Sequence, residues 1–512
     1  MGFSYDEPTQ ASLDLINNQQ IVPPKPVPKG RPRGTFLNGT LSSLDTKTTA
    51  NTTENAAMAV WHLLQGFLSV HPRWNPPEDS PLGVNLFAES YGGRYGPIFS
   101  TAWEKQNDKR ERGEIPQNAT LEIRLKSLGI INGCIDPLIQ GPFYPTMAHD
   151  NVYNIEVING VYSQATINKF SAENGCEEKI VRCRVEAFVH DPNDVGNDDR
   201  VNKLCHDAQQ TCDEDMQLPY FSTGRNPYDI SRVTADPFPP RWYLEYLNNR
   251  DVQEAIGSAV NYTESDPQVW DAFSETADLI RGSAIRDLAG LVDKGIRVAL
   301  IYGDRDFICN WLGGEEVAKE IARQSGGSYP NSFPAAGYAS IHANDSYVGG
   351  VVRQYGNLSF SRIYQAGHSV ASYQPETVFQ VFARVIMGTA VSTGEIVNPL
   401  DFGTKGSANA TMELDPPAGP EPTCWLRALA ETCDQEAISR AENGEGVTIN
   451  GVVYAASSDW ALFGATKTED SGPEPTLTGV YTATPTDDGI AVLGSWKMLV
   501  VLAVGTIIFG EM

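Results

Sequence analysis

Positive charge is scarce in this chain, and so is histidine. Its 38 lysines and arginines stand against 64 aspartates and glutamates, for a net charge of −26, and seven histidines are spread over 512 residues. A nucleic-acid binder needs a basic footprint to neutralise phosphates, so nucleic acid is excluded as a partner. The chain has no P-loop, no His-Glu-x-x-His pair and no dinucleotide fingerprint. Nucleotide hydrolysis, zinc proteolysis of that type and dinucleotide chemistry therefore lose their usual marks. No cofactor is implied. Also missing is a basic start followed by an apolar run, so no signal peptide is legible at Met1.

One short stretch points to chemistry. In Val84-Asn-Leu-Phe-Ala-Glu-Ser-Tyr-Gly-Gly93 a mostly apolar run meets a small residue, an acid, a serine, an aromatic and two glycines. This is the nucleophile-elbow pattern G-x-S-x-G with alanine in place of the first glycine, and Ser90 sits at its tip. Small residues are required at Ala88 and Gly92, because strand and helix approach closely there. A surface serine on an ordinary strand-turn-helix is the competing reading.

A serine nucleophile needs a base, and the base needs an orienting acid. On an α/β-hydrolase sheet they follow in the order Ser, Asp or Glu, His, at the ends of later strands. Ile296 to Tyr302 has the β-branched content of a buried strand and runs into Gly303-Asp-Arg-Asp306. Leu358 to Tyr364 reads as another strand, followed by Gln365-Ala-Gly-His368. Order, spacing and strand-end placement agree.

Glu-Ser-Tyr-Gly-Gly, Gly-Asp-x-Asp-Phe-Ile-Cys-Asn-Trp-Leu-Gly and Ala-Gly-His resemble the three signatures of the serine carboxypeptidases. The similarity is to the carboxypeptidase Y-like secreted fungal branch. Leu128 to Gly133, Tyr246 to Val252 and Tyr355 to Phe360 carry it further, over roughly residues 1 to 390. The resemblance implies an α/β-hydrolase fold with a cap insertion. It implies release of C-terminal amino acids from peptides through an acyl-enzyme. Ser90 would be the nucleophile, His368 the base and Asp306 its orienter, while Asp304 fixes the turn. The backbone N–H of Tyr91 would be one oxyanion donor, and the Tyr91 side chain a wall of the acyl-side pocket. Glu89 would read the substrate's free carboxylate. Two facing carboxylates must share a proton, so activity is expected to be best at acid pH. Cys309 and Ser369 would lie beside the substrate. Family members often have methionine at the Ser369 position and proline where Ala371 stands, so a more polar primed-side pocket is expected.

The chain also departs from the family. Met1-Gly-Phe-Ser-Tyr5 matches a segment that normally lies more than a hundred residues into the mature enzyme. The Asn-Gly-Gly-Pro-Gly loop, source of a second oxyanion N–H, is absent from the sequence. The opening strands of the sheet are expected to be missing. One lost oxyanion donor costs roughly 10²–10³ in rate. An inactive truncated homologue and an acyltransferase on the same scaffold are therefore kept as alternatives.

Seven Asn-x-Ser/Thr sequons occur, at Asn38, Asn51, Asn118, Asn261, Asn344, Asn357 and Asn409. With the cysteines they suggest a secretory route. The resulting location is extracellular or cell-surface, with the vacuole as alternative. Chance matches in a cytosolic protein are the competing reading. The eight cysteines include two pairs seven residues apart, Cys176 with Cys183 and Cys205 with Cys212. Sequence leaves their connectivity open. The family resemblance favours Cys176–Cys212 enclosing Cys183–Cys205. Cys424 with Cys433 could close a small loop. The resemblance makes Cys309 a free thiol, and Cys134 reads as a buried core thiol. Zinc is disfavoured, because there is no C-x-x-C and no histidine at ligand spacing.

The expected organisation is core over 1–136, cap with nested disulfides over 137–290, core again over 291–400 and a flexible tail over 401–489, in which the apolar residues of Trp425 to Leu429 and Val447 to Phe463 allow a small folded patch. Residues 6–54 read as loop. Ala56 to Leu68 and Val378 to Ile386 have helical apolar spacing. Residues 490–512 end in an apolar run after Lys497. A GPI-type anchor signal, with its hydrophobic tail of ~10–20 residues, is the reading adopted. A single membrane span, which needs ~20 apolar residues, and a mispredicted exon are the alternatives.

Overall fold

The computed structural model describes residues 2–72, 83–233, 238–282, 284–416 and 423–459, and the backbone at 480–481 and 503–504. The expected anchor segment 490–512 lies outside the described residues, apart from 503–504.

The chain opens with a three-stranded antiparallel sheet of β1 (Thr9–Asp14), β2 (Gln19–Ile21) and β3 (Phe36–Leu41). Residues 6–54 had read as loop. The strands are short and turn-rich, and they are held by long-range pairing that local spacing does not announce. Helix α1 (Thr53–Val70) follows, started by Thr52, whose side chain accepts from the Asn55 N–H. Such a cap is worth about 1 kcal/mol. Its buried residues Ala57, Trp61, Leu64 and Leu68 recur at helical spacing and face the core.

The main sheet contains β4 (Val84–Glu89), β5 (Leu125–Ile131), β6 (Arg297–Gly303), β7 (Ala339–Asn344), β8 (Tyr347–Tyr355) and β9 (Leu358–Ile363). β9, β6, β5 and β4 run side by side and parallel, while β7 and β8 add an antiparallel edge. Parallel strands covered on both faces read as continuous apolar runs. Every residue of β9 is buried, as are all but the first of β6. Two-residue strands β12 (Val480–Tyr481) and β13 (Ala503–Val504) extend this sheet beside β8 and β4, and β10 (Val447–Ile449) with β11 (Val452–Tyr454) forms a separate hairpin. Helix α2 (Gly92–Glu111) springs from the end of β4.

Between β5 and β6 the chain leaves the sheet. Helices α3 (Cys176–His190) and α4 (Asp199–Cys212) lie here, joined by the disulfides Cys176–Cys212 and Cys183–Cys205. Sheet-covering helices α5 (Ala284–Asp293), α6 (Trp311–Gln324) and α7 (Pro375–Met387) follow.

The stretch after residue 400 differs from the extended tail its composition suggested. Residues 401–416 lie along the core. The Tyr338 N–H donates to Ser407 O, Leu414 N–H to Val152 O, and Gln365 Nε2 to Asp415 O. Residues 423–459 fold around α8 (Gln435–Asn443), the Cys424–Cys433 disulfide and the β10–β11 hairpin. Leu426, Leu429, Ala437 and Val453 pack there against Leu15, with Leu13 and Leu37 from the N-terminal sheet alongside. Apolar residues too sparse to make a core alone suffice once a distant segment supplies the other half.

Candidate active site

The site gathers at the carboxyl ends of four neighbouring parallel strands. Ser90 follows β4, Asn132 follows β5, Asp306 follows β6 and His368 follows β9. That edge is where an open α/β sheet presents loops to a ligand.

Ser90 has φ +63°, in the left-handed region that a serine enters only under constraint. The elbow supplies it. The Ser90 N–H donates to Ile131 O at 3.0 Å, and the Ser90 carbonyl accepts from the Gly93 and Cys134 N–H groups at 2.9 and 3.1 Å. Close approach explains the small residues: a Cβ on Gly92 would lie 2.6 Å from that of Ala88.

His368 is buried, and its Nδ1 lies 2.8 Å from Asp306 Oδ2. Asp306 is fully buried. Its Oδ1 accepts from the Ile308 N–H at 3.1 Å, and its Oδ2 also accepts from Asn132 Nδ2 at 2.6 Å. Burial works against the charged imidazole, but the charge and hydrogen bond of Asp306, with Glu89 behind, outweigh it. The His368 pKa therefore stands above its ordinary value.

Glu89 precedes the serine and faces the same place. Ser369 Oγ donates to Glu89 Oε1 at 3.3 Å. Burial raises the Glu89 pKa, His368 and the Ser369 hydroxyl pull it back, and Asp306 pushes the same way as burial. The residue before the serine and the residue after the histidine thus meet beside His368 and Asp306.

Cys309 lies beside this group, its sulfur within 4.8 Å of the nearest donor atoms of Asp306 and His368. It is bonded to Cys134. This corrects the expectation of a free Cys309 thiol and a lone Cys134 thiol. The two are 175 residues apart in sequence and meet only because β5 and β6 are neighbours. The bond also occupies the Cys309 sulfur that would complete a three-donor metal set.

Tyr91, expected as a wall of the acyl-side pocket, follows Ser90 directly. Its ring is buried against Tyr95 and Phe273, and its hydroxyl donates to Asp278 Oδ2 at 2.7 Å. Asp278 also accepts from the Thr53 N–H and hydroxyl at 2.7 and 2.6 Å, with Arg94 Nε at 3.5 Å. Asp304 sits beside the site without joining it. It accepts from Tyr153 at 2.5 Å and from Arg362 at 2.9 and 3.1 Å, all buried.

Sequence reasoning missed Asn132, Asp278 and Tyr228. The Tyr228 carbonyl accepts the His368 N–H at 2.8 Å, and its ring lies 5.1 Å from the imidazole. The Pro227 carbonyl likewise accepts the Phe307 and Ile308 N–H groups at 3.0 Å. The only available signal was Asn132-Gly133 at the end of a strand run, a pair suited to a left-handed turn.

Among the sequon asparagines, Asn38, Asn118, Asn344 and Asn409 are exposed, while Asn51, Asn261 and Asn357 are half-buried. Asn261 Nδ2 donates to Asn248 and its Oδ1 accepts the Thr40 N–H.

Residues 38–388 match a family described as serine carboxypeptidase. The chain is 37% identical over 507 residues to carboxypeptidase S1 homolog A of Arthroderma otae, covering 96% of this chain and 75% of that protein. Identity to carboxypeptidase S1 of Penicillium janthinellum is 32% over 345 residues, 67% of this chain and 74% of that one. Among solved structures, a prohormone-processing carboxypeptidase from Saccharomyces cerevisiae superposes with a TM-score of 0.50 at 20% identity, over 69% of this chain and 71% of that one. At that identity the likeness speaks for the α/β fold alone.

Proposed function

The chain belongs to the serine carboxypeptidase family, and on that premise we propose that Ser90, His368 and Asp306 are the catalytic residues with which it releases amino acids from peptide C-termini. The observation that carries this reading is the buried Asp306–His368 hydrogen bond at 2.8 Å, at the same edge of strand ends that presents Ser90 in its strained conformation. Asp306 occupies Nδ1, so Nε2 is the nitrogen left to take the Ser90 proton. Ser90 Oγ then bonds to the scissile carbonyl carbon. The charge on that oxygen is met by the Tyr91 backbone N–H. His368 returns the proton to the leaving amino acid as the C–N bond breaks, and water repeats the sequence on the acyl-enzyme.

Glu89 gives the exopeptidase character. A buried carboxyl with a raised pKa can hold a proton and donate it to the substrate's terminal carboxylate. Hydrolysis of peptides is therefore favoured on the acid side, as long as His368 remains neutral. Four disulfides and exposed sequons support an oxidising, extracellular or vacuolar location. Among the described residues no helix is long and apolar enough to cross a membrane. We also propose that the helical segment 137–290 is a cap over the site, supported by the contacts of Pro227 and Tyr228 with the Asp306 and His368 loops.

The test is a time course on an N-blocked dipeptide and on the same dipeptide with an amidated C-terminus. Rapid release from the free acid and slow release from the amide are expected, both lost in Ser90→Ala. Equal rates on acid and amide would overturn the exopeptidase assignment.

A further inference from the structure

Asn132 uses both ends of its carboxamide. It is the first residue after β5, with φ +41° and no exposure to solvent. Asparagine tolerates this backbone region better than most residues. Its backbone N–H donates to Ile301 O at 2.8 Å. Its side chain reaches from the end of β5 to two points of the β6 end and the turn after it. Oδ1 accepts the Gly303 N–H at 2.9 Å, and Nδ2 donates to Asp306 Oδ2 at 2.6 Å.

These two bonds fix the orientation of the amide. A backbone N–H can be met only by the oxygen, and the carboxylate partner takes the nitrogen. Asp306 then receives three directed bonds, from Asn132, from the Ile308 N–H and from His368. The bond from Asn132 shares the very oxygen that holds His368 Nδ1. Rotation of the carboxylate about its Cβ–Cγ bond would therefore break both contacts.

We propose that Asn132 is a positioning residue for the reaction: through Nδ2 it locks Asp306 Oδ2 against His368, and so holds the imidazole ready for Ser90. The inference rests on the Ser90–His368–Asp306 reading. It adds a residue 174 positions from its partner that touches no substrate. The supporting element is rigid, because Asn132 stands where two paired parallel strands end. A merely structural Asn132 would need only its bond to Gly303.

Four variants of the full chain, Asp306→Ala alone among them, separate the two roles, assayed on a blocked dipeptide with melting followed by circular dichroism. Asn132→Asp keeps an oxygen for Gly303 but sets a carboxylate against Asp306. Asn132→Ala removes both bonds. The expected result is a kcat lower by about tenfold to a hundredfold in Asn132→Ala, with KM unchanged, and a loss in Asn132→Asp that grows with pH, because the new carboxyl can donate to Asp306 only while it holds the shared proton. The third is the pair Asn132→Ala with Asp306→Ala. If Asn132 acts through Asp306, the double variant is no slower than Asp306→Ala alone. This comparison stands even where Asn132→Asp fails to fold. An Asn132→Ala enzyme with native kcat would overturn the proposal. So would full additivity in the double variant. Loss of the triad reading itself would show separately, as retained phosphonate labelling in Ser90→Ala.

Discussion

Ser369 donates its hydroxyl to Glu89 Oε1 across 3.3 Å, joining the residue after His368 to the residue before Ser90. The bond favours the ionised form of a carboxyl whose pKa burial raises. Removing it should push that pKa higher still. Since peptide hydrolysis needs the protonated form, Ser369→Ala should move the alkaline limb of kcat/KM for a blocked dipeptide toward higher pH. A limb that stays in place or moves down would refute the assignment of Glu89. Ester substrates without a free carboxylate need only a neutral His368, so their activity should rise as pH climbs through the His368 pKa.

Labelling by a serine-reactive phosphonate tests the triad directly. Ser90→Ala and His368→Ala should each abolish it. Asp306→Asn should keep the serine but lower kcat by about 10⁴, because the imidazole then loses its orienting carboxylate. An Asp306→Asn enzyme within tenfold of the native rate would exclude Asp306 from its role.

Asp304, two residues earlier, should behave differently. Its carboxylate is fully buried and held by Arg362, which also donates to the Ala410 and Met412 carbonyls. Arg362→Met leaves that acid without its ion-pair partner and removes the side-chain bonds to Ala410 and Met412. A loss of about 3–5 kcal/mol is expected in denaturant unfolding, as for other broken buried pairs. The same variant, kept cold and folded, should still be labelled by the phosphonate.

Thiol counting tests the cystine beside the site. All eight cysteines are paired, so maleimide added to denatured, unreduced protein should find no thiol. One or two equivalents would restore the free Cys309. Replacing both Cys134 and Cys309 by alanine should cost about 2–4 kcal/mol of stability, as losing a long-range cross-link does.

Stability itself should fall as pH rises. Burial pushes the Glu54 and Asp213 carboxyls up to about 7 each. The folded state then holds protons that the unfolded chain releases near pH 4, so their contribution is complete below that value and is lost as pH climbs through about 7. Tm should drop between about pH 5 and 8, and Glu54→Gln with Asp213→Asn should flatten the drop. A native protein more stable at pH 8 than at pH 5 would contradict this.

Much of the site was legible because it is locally encoded. The elbow needs small residues and an abrupt strand-to-helix turn within ten positions. Runs such as Ile296 to Tyr302 and Leu358 to Tyr364 declare buried strands by composition alone. Trp61, Leu64 and Leu68 declared a helix by spacing. The nested cystines came from a family resemblance, since spacing left their pairing open. The strands within 6–54 were not legible, and of the folded segment 423–459 only the apolar residues at Trp425 to Leu429 and from Val447 onward gave a sign. Each presents a few apolar residues, and Leu15, Leu37, Leu429 and Val453 become a core only when brought together.

By itself the sequence determined what local geometry controls: a serine at a strained turn, an acid and a histidine at the ends of later strands, and a strongly acidic composition. The tertiary structure alone decided which side chains meet across long stretches of chain. It set Asn132 against Asp306, Tyr91 against Asp278 and Cys134 against Cys309, at separations of 174, 187 and 175 residues. No periodicity extends that far. Such contacts follow from strand order in the sheet, and strand order is fixed by the packing of the whole domain rather than by any segment within it.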